Sequence, residues 1–455
     1  KYIRRTSIGF KSINLLSYDL TIEGVKRVTL SDTQYVKVYP KEEKVTIKKN
    51  RSFIFDGIIN AGSTEYFGKN FSFDYEEYKL NVVDCDSMRL RVFPLTKNKD
   101  GQIRLSSVII GVKGVITIDG KDNKAGYKRG FEKYPIFECN KESYVYYNKV
   151  YKGVYDSTQF YFKNDKFTLD SLDNFKNTSL RFAGEFKSAD IFPVFKESLK
   201  VMPDYSLGFV RKAPEAGVKL YGDKGIFKNE IRLSGKGLQG DGKISFLNSY
   251  AESDAFTFFP DSTNGVAKKY ENTQSKTENF DVPRIMGDGC FVKYAPKEKL
   301  FTARSLDKPL NIYDDNDKVT MKGTTSLRET GMTGRGRMYF SAAELSAKNF
   351  KLKSRRIDSD TASFRLKNYD LTAISVKADN VKAYIDFDKR VGEFVANGKS
   401  EPLQFPEVQY ICFMDRFKWH MDREDVTFES DRKTLNIDSD LDLSGSNFFV
   451  NCLLV

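Results

Sequence analysis

The sequence holds one histidine, His420, and one tryptophan, Trp419, in 455 residues. A lone imidazole removes most of the acid–base and metal chemistry that depends on paired or triad histidines. Cysteine is sparse: Cys85, Cys139, Cys290, Cys412 and Cys452 stand dozens of residues apart, with no Cys-x-x-Cys pair. That spacing excludes the usual zinc clusters and argues against a disulfide framework. We expect buried thiols that act as small apolar side chains, Cys412 between Ile411 and Phe413 above all, with no disulfide and no metal. No apolar run approaches the ~18 residues of a membrane-spanning helix. Alanine is scarce, which withdraws the strongest helix former. No Gly-x-x-x-x-Gly-Lys-Ser/Thr loop exists to cradle a phosphate.

What is present points to strands. Aromatic residues make up 14% of the chain, with 37 Phe and 25 Tyr, and large aromatics favour pleated, half-buried surfaces. Val381, Ala383, Ile385 and Phe387 alternate with polar residues, as do Leu435, Ile437, Leu441 and Leu443 with one slip. Period-two alternation sends one face inward and the other to water. The dipeptides Asp56-Gly57, Asp100-Gly101, Asp119-Gly120, Asp241-Gly242, Asn264-Gly265 and Asn397-Gly398 suit tight connections between such strands. Helices are expected to be few and short, with single turns near Pro203, Pro260 or Pro283. The fold class is all-β, built as stacked β-repeats, either β-solenoid-like or a tandem β-sandwich.

Internal similarity supports repetition. GLQGDGKISF from Gly237 and GMTGRGRMYF from Gly331 place Gly237, Gly240 and Gly242 over Gly331, Gly334 and Gly336. The register continues through Phe246 and Phe340, then Phe256 and Phe350, so these four rings are expected to be buried at matching places. The phrase KNFSF at Lys69 returns as KNFKL at Lys348. Imperfect repeats of this length suit a stacked β-assembly. Divisions are placed near residues 125 and 232. They give an N-terminal β-region (1–125), an aromatic-rich β-region (126–232) and a repeated Gly-rich region (233–455).

Chemistry is harder to find. The glycine triplets run Gly-x-x-Gly-x-Gly into a strand, whereas a dinucleotide site needs Gly-x-Gly-x-x-Gly into a helix, so we read them as turns. In FKWHMD, alternation puts Phe417 and Trp419 on one face and Lys418 and His420 on the other. His420 is therefore a strand-surface residue rather than a catalytic base. Asp314, Asp315, Asn316 and Asp317 lack the glycine and distant glutamate of a helix-loop-helix calcium site and read as a solvated turn. The aromatics of VYKGVYDSTQFYFKNDKF, Val150 to Phe167, read as a strand pair with its rings in a core. Carboxylates are numerous enough that a glycosidase pair survives the inventory. No catalytic, cofactor-binding or metal residue is assigned.

Net charge is +12 at pH 7, which favours anionic partners. The first fifty residues carry 11 basic and 5 acidic side chains, and Asp415 to Asp442 carry 5 basic and 9 acidic. Basic and acidic residues otherwise alternate as on a solvated surface, and no nucleic-acid partner is expected. The start at Lys1 is read as a processed chain or an internal fragment.

Three phrases, RSFIFDGIINAGSTEYFGKNFSFDYEEY from Arg51, the two Gly-rich repeats, and QYICFMDRFKWHMD from Gln409, resemble large β-rich envelope proteins of Bacteroidetes-type bacteria. Separately, SVKADNVKAYIDFDKRVGEFVANG from Ser375 resembles a repeat of the lipopolysaccharide-transport β-jellyroll family, in which stacked strands form a groove for acyl chains. Neither resemblance brings a catalytic residue. Together they imply a non-enzymatic structural or scaffold segment of the bacterial cell envelope, in the periplasm, at the outer membrane or on the surface. Its partners would be other envelope proteins or further segments of one long chain, with glycan or lipid as ligands. A lipid or glycolipid conduit is the alternative, marked by a continuous apolar groove. A carbohydrate-active enzyme on a β-helix is the third reading, marked by a cleft with paired carboxylates.

Overall fold

Apolar–polar alternation becomes strand over most of the chain. The computed structural model describes residues 9–95, 101–127, 133–175, 177–313, 317–398, 401–423 and 425–429. Strands account for 58% and helical turns for 4%, and nearly all strands join one large antiparallel sheet. The fold is all-β. Among the described residues the helical turns are short 3-10 pieces, at Lys41–Glu43, Lys121–Asn123, Val150–Gly153, Asn177–Ser179 and Pro296–Glu298. None lies at Pro203, Pro260 or Pro283: Pro203 is in a turn, Pro260 in a bend, and Pro283 in the short link between two strands. No helix there is long and apolar enough to cross a membrane. Asp100, Asp314 to Asn316, the alternation from Leu435 to Leu443, and Cys452 lie outside the described residues.

The chain divides into two compact units, residues 1–212 with 231–239, and residues 213–230 with 240–455. Residue 125 lies within the first, and residue 232 falls where the two alternate along the chain.

In the second unit, successive long strands pair with their neighbours and each bends near its middle. Two devices make the bend. In Ser249–Phe258, Thr263–Asn272, Ile285–Ala295, Ala343–Leu352 and Arg356–Lys367, two consecutive exposed residues interrupt the alternation. The interruption shifts the parity of inward-facing positions, and a bulged strand bends there while both halves keep their apolar side chains on the core side. Lys348-Asn349 is such a pair, followed by buried Phe350. Lys69-Asn70, followed by buried Phe71, repeats it in the first unit, so the recurring Lys-Asn-Phe phrase marks a corner. The second device is glycine. Gly242 has φ +154° and Gly336 φ +134°, backbone that only glycine adopts easily. A Cβ at Gly242 would run into the Lys228 carbonyl, and one at Gly336 into the Lys322 carbonyl. The same interval of 94 residues separates both members of the two pairs, so the textual repeat is a repeat of backbone contact.

Three Asx-Gly dipeptides therefore do something other than connect strands. Asp56-Gly57, Asp241-Gly242 and Asn264-Gly265 lie inside Phe53–Ala61, Gly237–Phe246 and Thr263–Asn272. At Gly57 and Gly242, positive φ bends a continuing strand.

Across the second unit the corners align. Gly323, Gly336, Ala347, Ala362, Val381 and Ala396 face one another in successive strand pairs. Because these strands fold along this line, turns at their opposite ends come together. Turns at opposite ends touch: the Ser354 amide donates to Asp281 Oδ1 at 2.7 Å, and the Tyr313 hydroxyl donates to the Lys353 and Arg356 carbonyls at 3.0 and 3.1 Å. The first unit closes likewise, with Tyr78 donating to the Leu30 carbonyl and Tyr147 to the Leu207 carbonyl, each at 2.8 Å.

The space enclosed is filled. Phe364, Phe394, Phe417 and Trp419 pack ring against ring with centroids as close as 4.2 Å. Tyr155, Phe160, Phe186 and Phe209 do the same in the first unit. Each such ring pair adds ~0.5–1.5 kcal/mol beyond the area it buries. Phe246, Phe256 and Phe350 are buried as their repeat positions suggest. Phe340 is only half-buried, because it follows the strand end and lies over Phe387 and Trp419 at the seam.

Candidate functional site

The sequence motifs resolve into structural roles. In the strand Arg416–His420, Phe417 and Trp419 point inward and Lys418 and His420 outward, as alternation requires. The His420 ring lies 3.3 Å from Thr427 Oγ1 on the neighbouring strand. In the aromatic stretch from Val150, the rings of Tyr155, Phe160 and Phe162 are buried, leaving Tyr151 at the surface. Cys85, Cys139, Cys290 and Cys412 are buried, and none of the four is in a disulfide. Burial pushes the Cys85 thiol up to about 12 and the Cys290 thiol to about 11, far from a reactive thiolate.

A group of ion pairs pins the seam of the second unit. Asp317, the one described member of its acidic turn, accepts from Arg355 Nη1 at 2.7 Å and from Arg390 Nη1 at 3.2 Å, and its side chain is only 7% exposed. Arg355 also holds Asp388 at 3.0 Å, and Arg390 holds Asp422 at 2.7 Å. The Arg390 hydrogen bond keeps the Asp422 carboxyl below the ordinary aspartate range. The Asp317 carboxylate is thus committed to two guanidiniums, bidentate donors suited to pinning one turn to another. In the first unit, Glu65 receives Arg91 at 2.6 Å from the paired strand and also Arg104 from the strand beyond it. Neither clasp was legible beforehand, since the partners lie 26 to 73 residues apart in sequence.

Among the described residues, three depressions bear on the chemistry. The first, about 490 Å³, is open and polar, lined among others by Arg27, Ser31, Asp32, Tyr78 and Lys124, with Asp32 the one carboxylate in its described lining. The second, about 270 Å³, has Lys269, Lys308 and Asp288. The third brings Asp379 and Glu401 to one place, but holds about 10 Å³, space for no more than a water. Burial would raise Asp379, yet hydrogen bonds from Ser363 and Lys377 outweigh it and the carboxyl sits low. Glu401 accepts from Asn380 at 2.5 Å. A glycosidase acid needs the opposite, a carboxyl held protonated near neutrality beside an ionised partner. Among the carboxyls with a resolved shift Asp173 alone is raised, by burial, and it lies outside all three depressions. Among the described residues no group of three His, Cys, Asp or Glu side chains is placed to hold a metal.

Comparison with family models, curated proteins and solved structures finds no match. The chemistry of the chain rests on its own geometry.

Proposed function

We propose that this chain is a non-enzymatic structural or scaffold segment of a large bacterial envelope protein. It would present or bridge partners, either other envelope proteins or further segments of the same chain. The observation that carries the reading is the filled interior behind closed seams. Bent strands meet end to end, ion pairs pin their turns, and aromatic side chains occupy the enclosed space. A lipid conduit would need an apolar channel where Phe364, Phe394 and Phe417 stand. A glycoside hydrolase would need a substrate-sized cleft around two carboxylates, and Asp379 and Glu401 enclose almost no space. The envelope assignment rests on the resemblance of three sequence phrases. Stacked repeats of the Gly242 and Gly336 kind suit a β-solenoid-like element that extends by adding hairpins.

The test is a screen of the purified chain for turnover on a broad glycan panel, with mass spectrometry for co-purifying acyl chains. The expected result is neither turnover nor bound lipid. Turnover abolished by replacing a single Asp or Glu, with the fold intact, would replace this reading with the hydrolase. Stoichiometric acyl chain without turnover would replace it with the conduit.

A further inference from the structure

The most exposed apolar group of the first unit sits at the tip of its first hairpin. Strands Gly9–Ile13 and Leu20–Glu23 pair with Ile13 opposite Leu20, and residues 14–19 turn between them. Turns usually carry Gly, Asn, Asp or Ser at the apex. Here the apex is Leu15-Leu16, 76% and 94% exposed, flanked by Ile13 and Tyr18, each more than half exposed. Single exposed apolar residues are ordinary, but four within six residues form a patch.

The turn is held in shape. Asn14 Oδ1 accepts from the amides of Leu16 and Ser17 at 2.9 and 3.2 Å, and the Asn14 carbonyl accepts from the Tyr18 amide at 2.7 Å. The Asn14 amide donates to the Asp19 carbonyl at 3.0 Å. The leucines are therefore presented rather than left on a slack loop, and ordering them on contact costs less.

A second, independent feature surrounds them. The turn after Val45–Ile47 runs Lys48-Lys49-Asn50-Arg51, and Ile47 lies opposite Leu20. Lys48 binds Asp19 at 2.6 Å, so the basic turn is fastened to the base of the hairpin. Lys49 Nζ lies 5.4 Å from the Tyr18 ring centre, and Arg51 and Lys124 lie 5.5 and 5.0 Å from that of Tyr75. An apolar apex, a tyrosine at its shoulder and a cationic collar behind it is the arrangement that suits a bilayer interface. The apex enters the acyl boundary, the phenol sits among headgroups, and the cations face anionic lipid.

We infer that the Leu15-Leu16 hairpin is a docking tip for an anionic lipid surface. This site is separate from the scaffold reading: the hairpin would dock a chain of any function, and a failure to bind lipid leaves that reading standing.

The test is flotation of the whole chain with vesicles of about seven parts phosphatidylcholine to three parts phosphatidylglycerol, against phosphatidylcholine alone. The chain should float with the anionic vesicles and release as salt rises from about 0.1 M to about 0.5 M. Leu15→Ser with Leu16→Ser should weaken partitioning by about tenfold or more, with unchanged thermal stability because both side chains are exposed. Lys49→Glu with Arg51→Glu should weaken it on anionic vesicles by a similar factor of about ten. No flotation with anionic vesicles, or equal flotation of the leucine variant, overturns the inference. So does lipid-free self-association that the leucine variant abolishes, which would assign the tip to a second copy of the chain.

Discussion

Replacing Gly336 by alanine tests the corner mechanism in one step. Its φ of +134° lies where residues other than glycine are strained by ~1–3 kcal/mol. The added Cβ would also overlap the Lys322 carbonyl and stand 2.7 Å from Gly323 Cα. Both are backbone, so the strand Val319–Arg328 has to move away. That movement costs one or two ladder hydrogen bonds at ~1 kcal/mol each, for a total of about 2–5 kcal/mol. Gly289 is the control. Its φ is +66° and a Cβ there meets nothing within 4 Å, so alanine costs only the ~1–2 kcal/mol of left-handed backbone. Trp419 is the only tryptophan and is buried in the second unit, so its fluorescence reports that unit during urea unfolding. With a slope of ~3 kcal/mol/M, Gly336→Ala should lower the midpoint by about 0.7–1.7 M and Gly289→Ala by about 0.3–0.7 M. Gly242→Ala should match Gly336→Ala, because its Cβ would meet the equivalent carbonyl. If Gly336→Ala costs no more than Gly289→Ala, the bent-strand reasoning is wrong.

Further outcomes follow from the seams and the core. Asp317→Asn leaves Arg355 and Arg390 without their shared carboxylate, and should cost about 2 kcal/mol by the same fluorescence assay, since both guanidiniums still reach solvent. The carboxyls of Glu271, Glu329 and Asp422 are lowered, by hydrogen bonds from Tyr250, Lys224 and Arg390 respectively. Groups lowered in the folded state contribute stability that is complete above their ordinary values of 4.5 and 3.8 and is lost as pH falls through the folded values. The urea midpoint should therefore fall below about pH 4, and fall less steeply in Arg390→Gln. Cys85, Cys139, Cys290 and Cys412 should resist an aromatic disulfide reagent in the native protein and react once urea unfolds it; native labelling of Cys85 or Cys290 would contradict their burial.

The strands were legible because side-chain alternation is a local property. Val381, Ala383, Ile385 and Phe387 are all buried as their spacing implies, and so are the inward rings Phe417 and Trp419. The bends were written in the sequence but in several spellings. Asp56-Gly57 and Asp241-Gly242 look like hairpin dipeptides, and Lys69-Asn70 and Asp360-Thr361 look like loop residues. All mark corners inside continuing strands. A glycine's positive φ or a two-residue slip bends a strand only when a partner strand bends beside it, and a single sequence does not display that partner. The seam was not legible for the same reason. Asp281 and Ser354, or Asp317 and Arg390, are 73 residues apart, and nothing local distinguishes them from solvated turn residues. The hairpin tip did carry a local signal, two leucines where a turn should hold Gly or Asn. Period-two counting passes over it because it lies between the strands.

Everything said of the interior requires that opposite ends of the bent strands meet in the second unit. Asp281→Cys with Ser354→Cys measures this directly. In a flat sheet of ten-residue strands the two edges stand ~33 Å apart, beyond any disulfide, whose Cα atoms lie within ~7 Å. In the bent sheet the Ser354 amide is 2.7 Å from Asp281 Oδ1, and the four described native thiols are buried. Mild oxidation of the folded double variant should join residues 281 and 354 rapidly and nearly completely, as read by non-reducing peptide mapping. A folded double variant that remains reduced at both positions would contradict the closed seam, and with it the filled interior on which the scaffold reading stands.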